Sequence, residues 1–306
     1  MTAAINAIVP YFGAKRKLAD RIVAEMGEHR AYWGLCCGSL AIELAKPRCM
    51  METIVDLHGD LTNLILVLAD PDDAQSLYER VYKTVMSDEL HRRALAFIRG
   101  NPAPTGDAPA DVKRAHAYFV TSWMGRNGMS GTTTEGAGFA VRYTSNGGHP
   151  GTRWQSAIAS IPWWHERLLG MTVVRDDLFK RIPRIEDKAG TVICVDSPYL
   201  IKSTEYVHDF AQEVPVEAAM NGLGVASGKR NDHVRMALEL RRFQATRVLV
   251  CYYDHPSLDV LYPDWTKIYL ECTKSLPNQA KRDQQGIAES APEVLLINGP
   301  SLTEDS

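Results

Sequence analysis

The sequence predicts an α/β fold built around one mainly parallel β-sheet. Short apolar runs recur along the chain and end in an acidic or aromatic residue, with helical patterns between them. The central run, 192–195, stops at Asp196, two residues before Pro198, which has no amide hydrogen with which to continue a sheet ladder. A third observation is the stretch 71–159, which interrupts the alternation with helical patterns and a glycine-rich segment.

Each predicted strand is an apolar run bounded by turn-forming residues or by helical periodicity. Strands that alternate with helices form βαβ units, and their carboxyl ends meet at one edge of the sheet, where ligands bind. The predicted strands begin at or near Tyr32, Thr53, Met171, Val192, Arg247, Lys267 and Pro292. The helices predicted around them run from the turn at Gly13 through Met26 and over 42–45, 57–69 and 232–242.

The composition is that of an ordinary globular protein. Its 306 residues, 45% of them hydrophobic, suffice for one large α/β domain with an insertion. The net charge of −3, from 34 basic and 37 acidic residues, excludes a basic coat over the whole surface, so a nucleic-acid surface has to be a local patch. The sequence shows neither an apolar run of membrane-spanning length nor the pattern of a signal peptide, and we expect a cytoplasmic protein without a membrane partner.

Cysteines and histidines give no support for a metal site. The six cysteines show no C-x-x-C spacing and the nine histidines form no metal-binding motif. Three of the cysteines lie inside apolar runs, as reduced thiols of a protein core do. We therefore expect a mechanism without a metal.

Asp196-Ser-Pro-Tyr199 has chemistry that suits an amine attached to a flat ring. Such an amine is a poor nucleophile because its lone pair is delocalised into the ring. The carboxylate of Asp196 and the carbonyl oxygen of Ser197 can accept its two N–H groups, while the ring of Tyr199 stacks on the base and holds it in line with an electrophile. The alternative is that Asp196 only begins a turn or caps a helix.

Two glycine-containing turns near the start of the chain suggest a cofactor pocket. Gly34 and Gly38 lie between a predicted strand and a helix, and Asp56 follows about 20 residues later, at the spacing of an acid that accepts from ribose hydroxyls. Tyr11 and Lys15 flank an earlier glycine turn. The alternative for that earlier turn is an ordinary strand-to-helix connection with solvated lysines.

The insertion carries a polar, glycine-dense segment, 125–151, after three helical patterns at 74–86, 87–99 and up to Trp123. Segments of this length inside a compact domain are functional or disordered. Arg126 and Arg142, set among Asn, Thr and Tyr, suit contacts to DNA bases or phosphates. The alternative is a flexible surface loop.

Several motifs in one order resemble those of the Dam-type DNA adenine-N6 methyltransferases over about residues 8 to 299. The similar motifs are Tyr-Phe-Gly-Ala-Lys at 11–15, Cys-Cys-Gly-Ser at 36–39, Val55-Asp56, Arg-Asn-Gly-Met at 126–129, Arg175-Asp-Asp177, Asp-Ser-Pro-Tyr at 196–199 and Glu293-Val-Leu-Leu. Each motif alone is weak. Their order, with the DNA-reading hairpin between the cofactor motifs and the catalytic motif, is what gives the resemblance its weight.

The resemblance implies a Rossmann-like sheet, 1–70 and 160–306, that binds S-adenosylmethionine, and a mainly helical target-recognition insertion, 71–159, that carries a hairpin and binds double-stranded DNA. It also implies a bacterial or phage-infected host cell. The catalytic residues would be Asp196, Ser197, Pro198 and Tyr199. The cofactor would contact Tyr11, Lys15, Cys37, Gly38, Asp56, Asp177 and Asp196. DNA would contact Arg126, Asn127 and Arg142, and we expect Lys229 and Arg230, which precede Asp232, to touch phosphates.

The chain departs from the family pattern in three places. Where the family carries Glu-Pro-Phe before the glycine loop, this chain has Gly34-Leu-Cys, which removes an acid from the methionine end of the cofactor. Ser197 replaces a proline but keeps the backbone carbonyl, and Met129 begins a segment without the arginine of GATC readers. Two alternatives therefore stay open: methylation of RNA adenine or a protein glutamine, and a cofactor- or DNA-binding protein without catalysis.

Overall fold

The computed structural model describes residues 4–11, 13–126, 138–140, 149–200, 208–222, 228–270 and 292–303. Seven strands in this part of the chain form one sheet in the order β3-β2-β1-β4-β5-β7-β6. The strands are β1 Ala31–Leu35, β2 Met51–Asp56, β3 Met171–Arg175, β4 Thr191–Val195, β5 Arg247–Tyr253, β6 Thr266–Leu270 and β7 Glu293–Ile297. All seven predicted strands are confirmed.

The first five strands are parallel, and β7 runs antiparallel between β5 and β6. The chain moves outward from β1 to β2 and β3, then returns to β4 on the other side of β1. This reversal is the topological switch point of a doubly wound sheet, where the loops after β1 and β4 diverge and leave a crevice. The mixed α/β, Rossmann-like architecture predicted from the sequence is thus confirmed.

Helices cover both faces of the sheet. They are α1 Ala19–Ala24, α2 Ala41–Ala45, α3 Gly59–Ala69, α4 Pro71–Tyr82, α5 Asp88–Gly100, α6 Val112–Met124, α7 Pro150–Leu168, α8 Leu178–Arg181, α9 Val216–Met220, α10 Asp232–Leu240 and α11 Ser257–Leu261, with a short 3-10 helix at Ile182–Arg184. Strand β4 is buried along its whole length, with Val192 packed in the same cluster as α1 and Ile193 in the same cluster as α10. A strand that is covered on both faces has to be apolar throughout, which explains why residues 192–195 form an unbroken apolar run.

Two helix predictions need correction. The helix predicted to follow the turn at Gly13 begins only at Ala19, so the turn is not a helix N-terminus. Helix α7 was not predicted, although buried residues at Trp154, Ile158 and Ile161 give it a clear helical spacing. Pro162 inside the helix and the glycine-rich segment before it obscure that pattern in the sequence.

The predicted division of the chain stays a prediction, but its second boundary, between residues 159 and 160, falls inside α7. Buried residues of α3, α4, α6 and α7 form one cluster with Ile8 and Val9 from the N-terminal segment. The indole N–H groups of Trp123 and Trp164 donate to backbone carbonyls of that segment. The helical region is therefore packed directly onto the β2–β3 side of the sheet. Within the described ranges no helix is long and apolar enough to cross a membrane.

The carboxylate of Glu25, just after α1, ties the segment 301–303 to the sheet. It is fully buried and accepts hydrogen bonds from the Ser301 hydroxyl and the Leu302 amide, both at 2.8 Å, and from the Thr303 hydroxyl. Arg247, the first residue of β5, completes the cluster at 3.2 Å. Burial alone would raise the pKa of Glu25, but these hydrogen bonds and the arginine lower it below its ordinary value.

We expect Glu25→Gln to lower the free energy of unfolding by about 2 to 4 kcal/mol at pH 7, because it breaks a buried, hydrogen-bonded charge pair. A carboxylate whose pKa falls on folding stabilises the fold above its unfolded pKa, roughly 4.3, and that contribution is lost as the pH falls through the folded pKa. Urea unfolding should therefore show the gap between wild type and variant shrinking from pH 7 toward pH 3. Glu28→Gln, on the exposed side of the same turn, is the control; an equal effect there would contradict the assignment.

Candidate active site

A pocket opens at the carboxyl edge of the sheet, at the switch point between β1 and β4. Loops that follow four parallel strands line it, at 36–39 after β1, 56–58 after β2, 176–179 after β3 and 196–199 after β4. Because parallel strands end at the same edge, the fold brings together segments that are up to about 160 residues apart in the sequence. The predicted site thus forms where the topology of the sheet favours ligand binding.

Most residues predicted for catalysis and cofactor binding line this pocket or a cleft that adjoins it. The pocket is lined by Tyr11, Lys15, Gly38, Asp56, Asp177, Asp196, Ser197, Pro198, Tyr199 and also Arg230. Cys37 lines the adjoining cleft together with Lys15 and Asp196. Lys229 is exposed next to Arg230. The structure brings these residues together, and their individual roles stay predictions.

The glycine loop between β1 and α2 has an unusual backbone. Cys36 and Leu40 have φ values of 59° and 60°, in a region that side-chain-bearing residues rarely adopt, and Gly38 has a φ of 48°. Backbone conformations of this kind cost energy and persist only where the surrounding structure holds them. They are found most often at ligand-binding and active sites. At Gly38 a β-carbon would lie 3.4 Å from the ring of Tyr11, so the loop packs closely against that ring.

Asp56, at the end of β2, holds this loop in place. Its two carboxylate oxygens accept from the amide of Gly38 at 3.1 Å and from the amide of His58 at 2.8 Å. Each oxygen of a carboxylate can accept more than one hydrogen bond, so the same group can also accept from ligand hydroxyls in the pocket. The ribose-binding role that the spacing suggested for Asp56 stays a prediction.

Lys15 lies at the centre of a buried charge cluster. Its side chain is 2% exposed, and its Nζ atom is 2.9 Å from Asp196 Oδ1 and 3.7 Å from Glu293 Oε2. It also donates to the carbonyl of Gly13 at 2.6 Å and lies 4.9 Å from the ring centroid of Tyr199. One lysine thus contacts the N-terminal turn, the loop after β4 and the first residue of β7.

The cluster shifts the pKa values of its members. Burial alone would lower the pKa of Lys15, but the negative charges of Asp196 and Glu293 raise it well above its ordinary value, so the amine stays an ammonium ion. Burial raises the pKa of Asp196 and of Glu293, and the ammonium of Lys15 opposes that shift only in part. The ammonium of Lys15 thus offsets part of the cost of burying the two carboxyl groups.

Asp196 and Tyr199 face the pocket from the loop after β4. The side chain of Asp196 is 23% exposed, and both its contact to Lys15 and the longer one from the Tyr199 hydroxyl, at 3.5 Å, fall on Oδ1. Oδ2 therefore remains able to accept an N–H from a ligand. The ring of Tyr199 packs edge-on against that of Tyr253, with centroids 4.6 Å apart, which fixes its orientation.

Two buried carboxyl groups of this region, Glu43 and Glu293, were not predicted as site residues. Glu43 is 3% exposed and Glu293 is 8% exposed. The sequence did hold a signal, since each glutamate lies in an otherwise apolar helix or strand, and a charge at a core position is rarely buried without a partner or a role. Which residues lie close to them depends on the tertiary fold, and the sequence gives no measure of that.

The structure describes only the ends of the predicted DNA-reading hairpin. Gly125 and Phe139 form an antiparallel bridge, and the amide of Arg126 donates to the carbonyl of Gly138 at 3.1 Å. The chain thus leaves α6 and comes back alongside itself, as a hairpin does. Arg126 is exposed next to this bridge. Asn127 and Arg142 lie outside the described residues, and across the described part of the chain no group of acidic, histidine and cysteine side chains could hold a metal ion.

No protein-family model matches the sequence, and a search of curated proteins gives no match. Among solved structures, the chain is similar to the rRNA methyltransferase aviRa from Streptomyces viridochromogenes, with a TM-score of 0.34 and 13% sequence identity, over 92% of this chain and 83% of that chain. The strand order and the side-chain contacts described above, rather than that distant similarity, define the candidate site of this protein.

Proposed function

We propose that this protein transfers the methyl group of S-adenosylmethionine to the exocyclic amine of adenine in double-stranded DNA. The observation that carries the proposal is the geometry at Asp196. Its carboxylate is fixed at the crevice edge through Oδ1, its Oδ2 can accept an N–H, and the ring of Tyr199 stands beside it. A carboxylate and an aromatic ring so arranged suit a flat base that carries an amine.

The residues around the pocket fit the cofactor. S-adenosylmethionine supplies, when bound, a methyl group on a positively charged sulfur. The carboxylate of Asp56, held by two backbone amides, suits the ribose hydroxyls. Asp177 and Phe179, which follow β3, also line the pocket, and there an adenine ring would find an acceptor and an aromatic neighbour.

The residues of the loop after β4 would orient the target amine. Asp196 accepts one N–H through Oδ2, and the Ser197 carbonyl accepts the other, which draws the nitrogen lone pair out of the ring and toward the methyl group. As the new nitrogen–carbon bond forms and the carbon–sulfur bond breaks, the amine gives up a proton. The raised pKa of Asp196 makes its carboxylate a better acceptor for that proton than an exposed aspartate would be.

Double-stranded DNA is the favoured substrate because of what surrounds the pocket. An adenine amine inside a duplex cannot reach Asp196, so the base has to rotate out of the stack, at a cost of roughly a few kcal/mol. Arg230 at the pocket rim and the exposed Lys229 suit the phosphates of that strand. Arg126 is exposed next to the Gly125–Phe139 bridge, which suits contact with base edges.

We expect Asp196→Asn to remove most of the methyl-transfer activity, while Glu293 still flanks Lys15. The amide of asparagine can place an N–H where the carboxylate accepted one, and it weakens the contact with Lys15, so the rate should fall by about 100-fold or more. The measurement is transfer of labelled methyl from S-adenosylmethionine to plasmid DNA, followed by identification of the labelled nucleoside. Asp264→Asn, an exposed acid in the loop before β6, is the matched control.

Four outcomes would contradict the proposal. Wild-type protein that labels no adenine in DNA would exclude it, and so would equal labelling by wild type and Asp196→Asn. In a mixture of DNA and RNA, preferential labelling of the RNA would show that RNA adenine is the substrate. Cofactor binding without any transfer would favour a binding protein that has no catalytic activity.

Base-reading and phosphate-binding residues should respond differently to mutation. Arg126→Ala should cost about 1 to 3 kcal/mol at one position of the target and relax the sequence preference there. Lys229→Ala with Arg230→Ala should weaken binding to all sequences alike and lower the slope of log affinity against log salt concentration by about one for each phosphate that the protein no longer neutralises. Methylation-sensitive sequencing gives the first result and salt titrations of DNA binding give the second. An unchanged motif and rate in Arg126→Ala would remove the base-reading role from Arg126.

A further inference from the structure

Glu43 lies in α2 at the back of the pocket and has no role in the steps above. Its carboxyl group is buried and lines the narrow cleft that adjoins the main pocket, together with Lys15 and Asp196. Lys15 and Asp196 line both spaces, so the cleft extends directly from the candidate site. A ligand group that occupies this cleft would therefore lie beside the carboxyl group of Glu43.

The carboxyl group of Glu43 fills the space above Gly34. A β-carbon added to Gly34 would lie 2.6 Å from Glu43 Oε1, so a side chain at position 34 would force this carboxyl group to move. Gly34 is in β1, just before the glycine loop, and it replaces the acid that the family pattern carries there. In this chain the carboxyl group of Glu43, from helix α2, occupies the space that a side chain at position 34 of β1 would need.

The hydrogen bonds of the Glu43 side chain described here are to neutral groups. Its Oε1 accepts from the hydroxyl of the buried Tyr32 at 2.8 Å, and the Cys37 thiol is its other side-chain partner. Burial raises the pKa of Glu43 to about 7, while the hydroxyl of Tyr32 opposes that shift. A cation brought next to this carboxyl group would stabilise its ionised form.

We propose that Glu43 binds the ammonium group of the amino-acid end of S-adenosylmethionine. The proposal rests on the proposed function, since it assigns a further contact within the same pocket. It makes the helix α2, instead of the strand β1, the source of the acid at that end of the cofactor. The rival explanation is that Glu43 serves only to pair the buried hydroxyl of Tyr32.

A pair of ligands separates these explanations. S-adenosylhomocysteine and 5′-methylthioadenosine share the adenosine and a neutral sulfur, but only the first carries the ammonium group. In calorimetric titrations Glu43→Gln should bind S-adenosylhomocysteine roughly 30-fold more weakly than wild type, the effect expected when one partner of a buried charge pair is removed. Binding of 5′-methylthioadenosine should stay within about twofold, since it makes no contact with residue 43.

Tyr32→Phe is the matched control, because it removes the hydroxyl partner and keeps the carboxyl group. It should retain discrimination between the two ligands. Equal affinity of Glu43→Gln and wild type for S-adenosylhomocysteine would overturn the proposal, as would equally weakened binding of both ligands. Failure of the wild-type protein to bind S-adenosylmethionine or S-adenosylhomocysteine would instead overturn the proposed function, so the two failures are distinguishable.

The affinity should also depend on pH in one direction. The carboxyl group has to be ionised to hold a cation, so wild-type affinity for S-adenosylhomocysteine should fall about tenfold from pH 8 to pH 6, on either side of a pKa near 7. Glu43→Gln should show no such fall, and a parallel fall in the variant would assign it to another group. The ionisable groups that face Glu43 are Tyr32, Cys37, Cys194, Lys15 and Asp196.

Discussion

An ammonium group taken out of water loses several kcal/mol of solvation, so Lys15 is stable where it lies only because Asp196 and Glu293 flank it. These three residues come from the first turn of the chain, the loop after β4 and the start of β7. The contact therefore holds three distant parts of the chain together at the crevice. Because β7 runs antiparallel, its first residue lies at the same edge as the last residues of its parallel neighbours, which is what allows Glu293 to take part.

Charged groups are distributed unevenly around this crevice, and the small net charge of −3 does not show that unevenness. The interior presents the carboxyl groups of Asp56, Asp177 and Asp196 together with the buried ammonium of Lys15, while the exposed Arg230 stands at the rim. The excess of carboxyl groups favours a positively charged small molecule and disfavours phosphates, which the rim can accept. Under the proposed function, the nucleic acid would stay outside the pocket while a single uncharged base enters it.

The sequence was sufficient to predict the seven strands and the position of the pocket, because apolar runs that stop at Asp56, Asp177 or Asp196 carry both the strand pattern and the polar group at its end. It was insufficient for α7, where Pro162 disturbs a good helical pattern. The charge of Glu43 in an apolar helix was a signal, but the place of its carboxyl group beside the pocket could not be predicted. That place depends on the way α2 packs against β1 over Gly34, which is a property of the tertiary fold. Local patterns specify elements, whereas contacts between elements depend on how those elements pack.

The placement of β7 between β5 and β6 has a consequence for synthesis of the protein. While the ribosome is still adding residues after β6, β5 presents an open strand edge, and β6 has no neighbour in the sheet. Open edges of this kind can pair with other chains. Insertion of β7 therefore closes an edge that could otherwise pair with another chain. The same strand brings Glu293 to Lys15, so the charge cluster and the closed sheet both depend on β7.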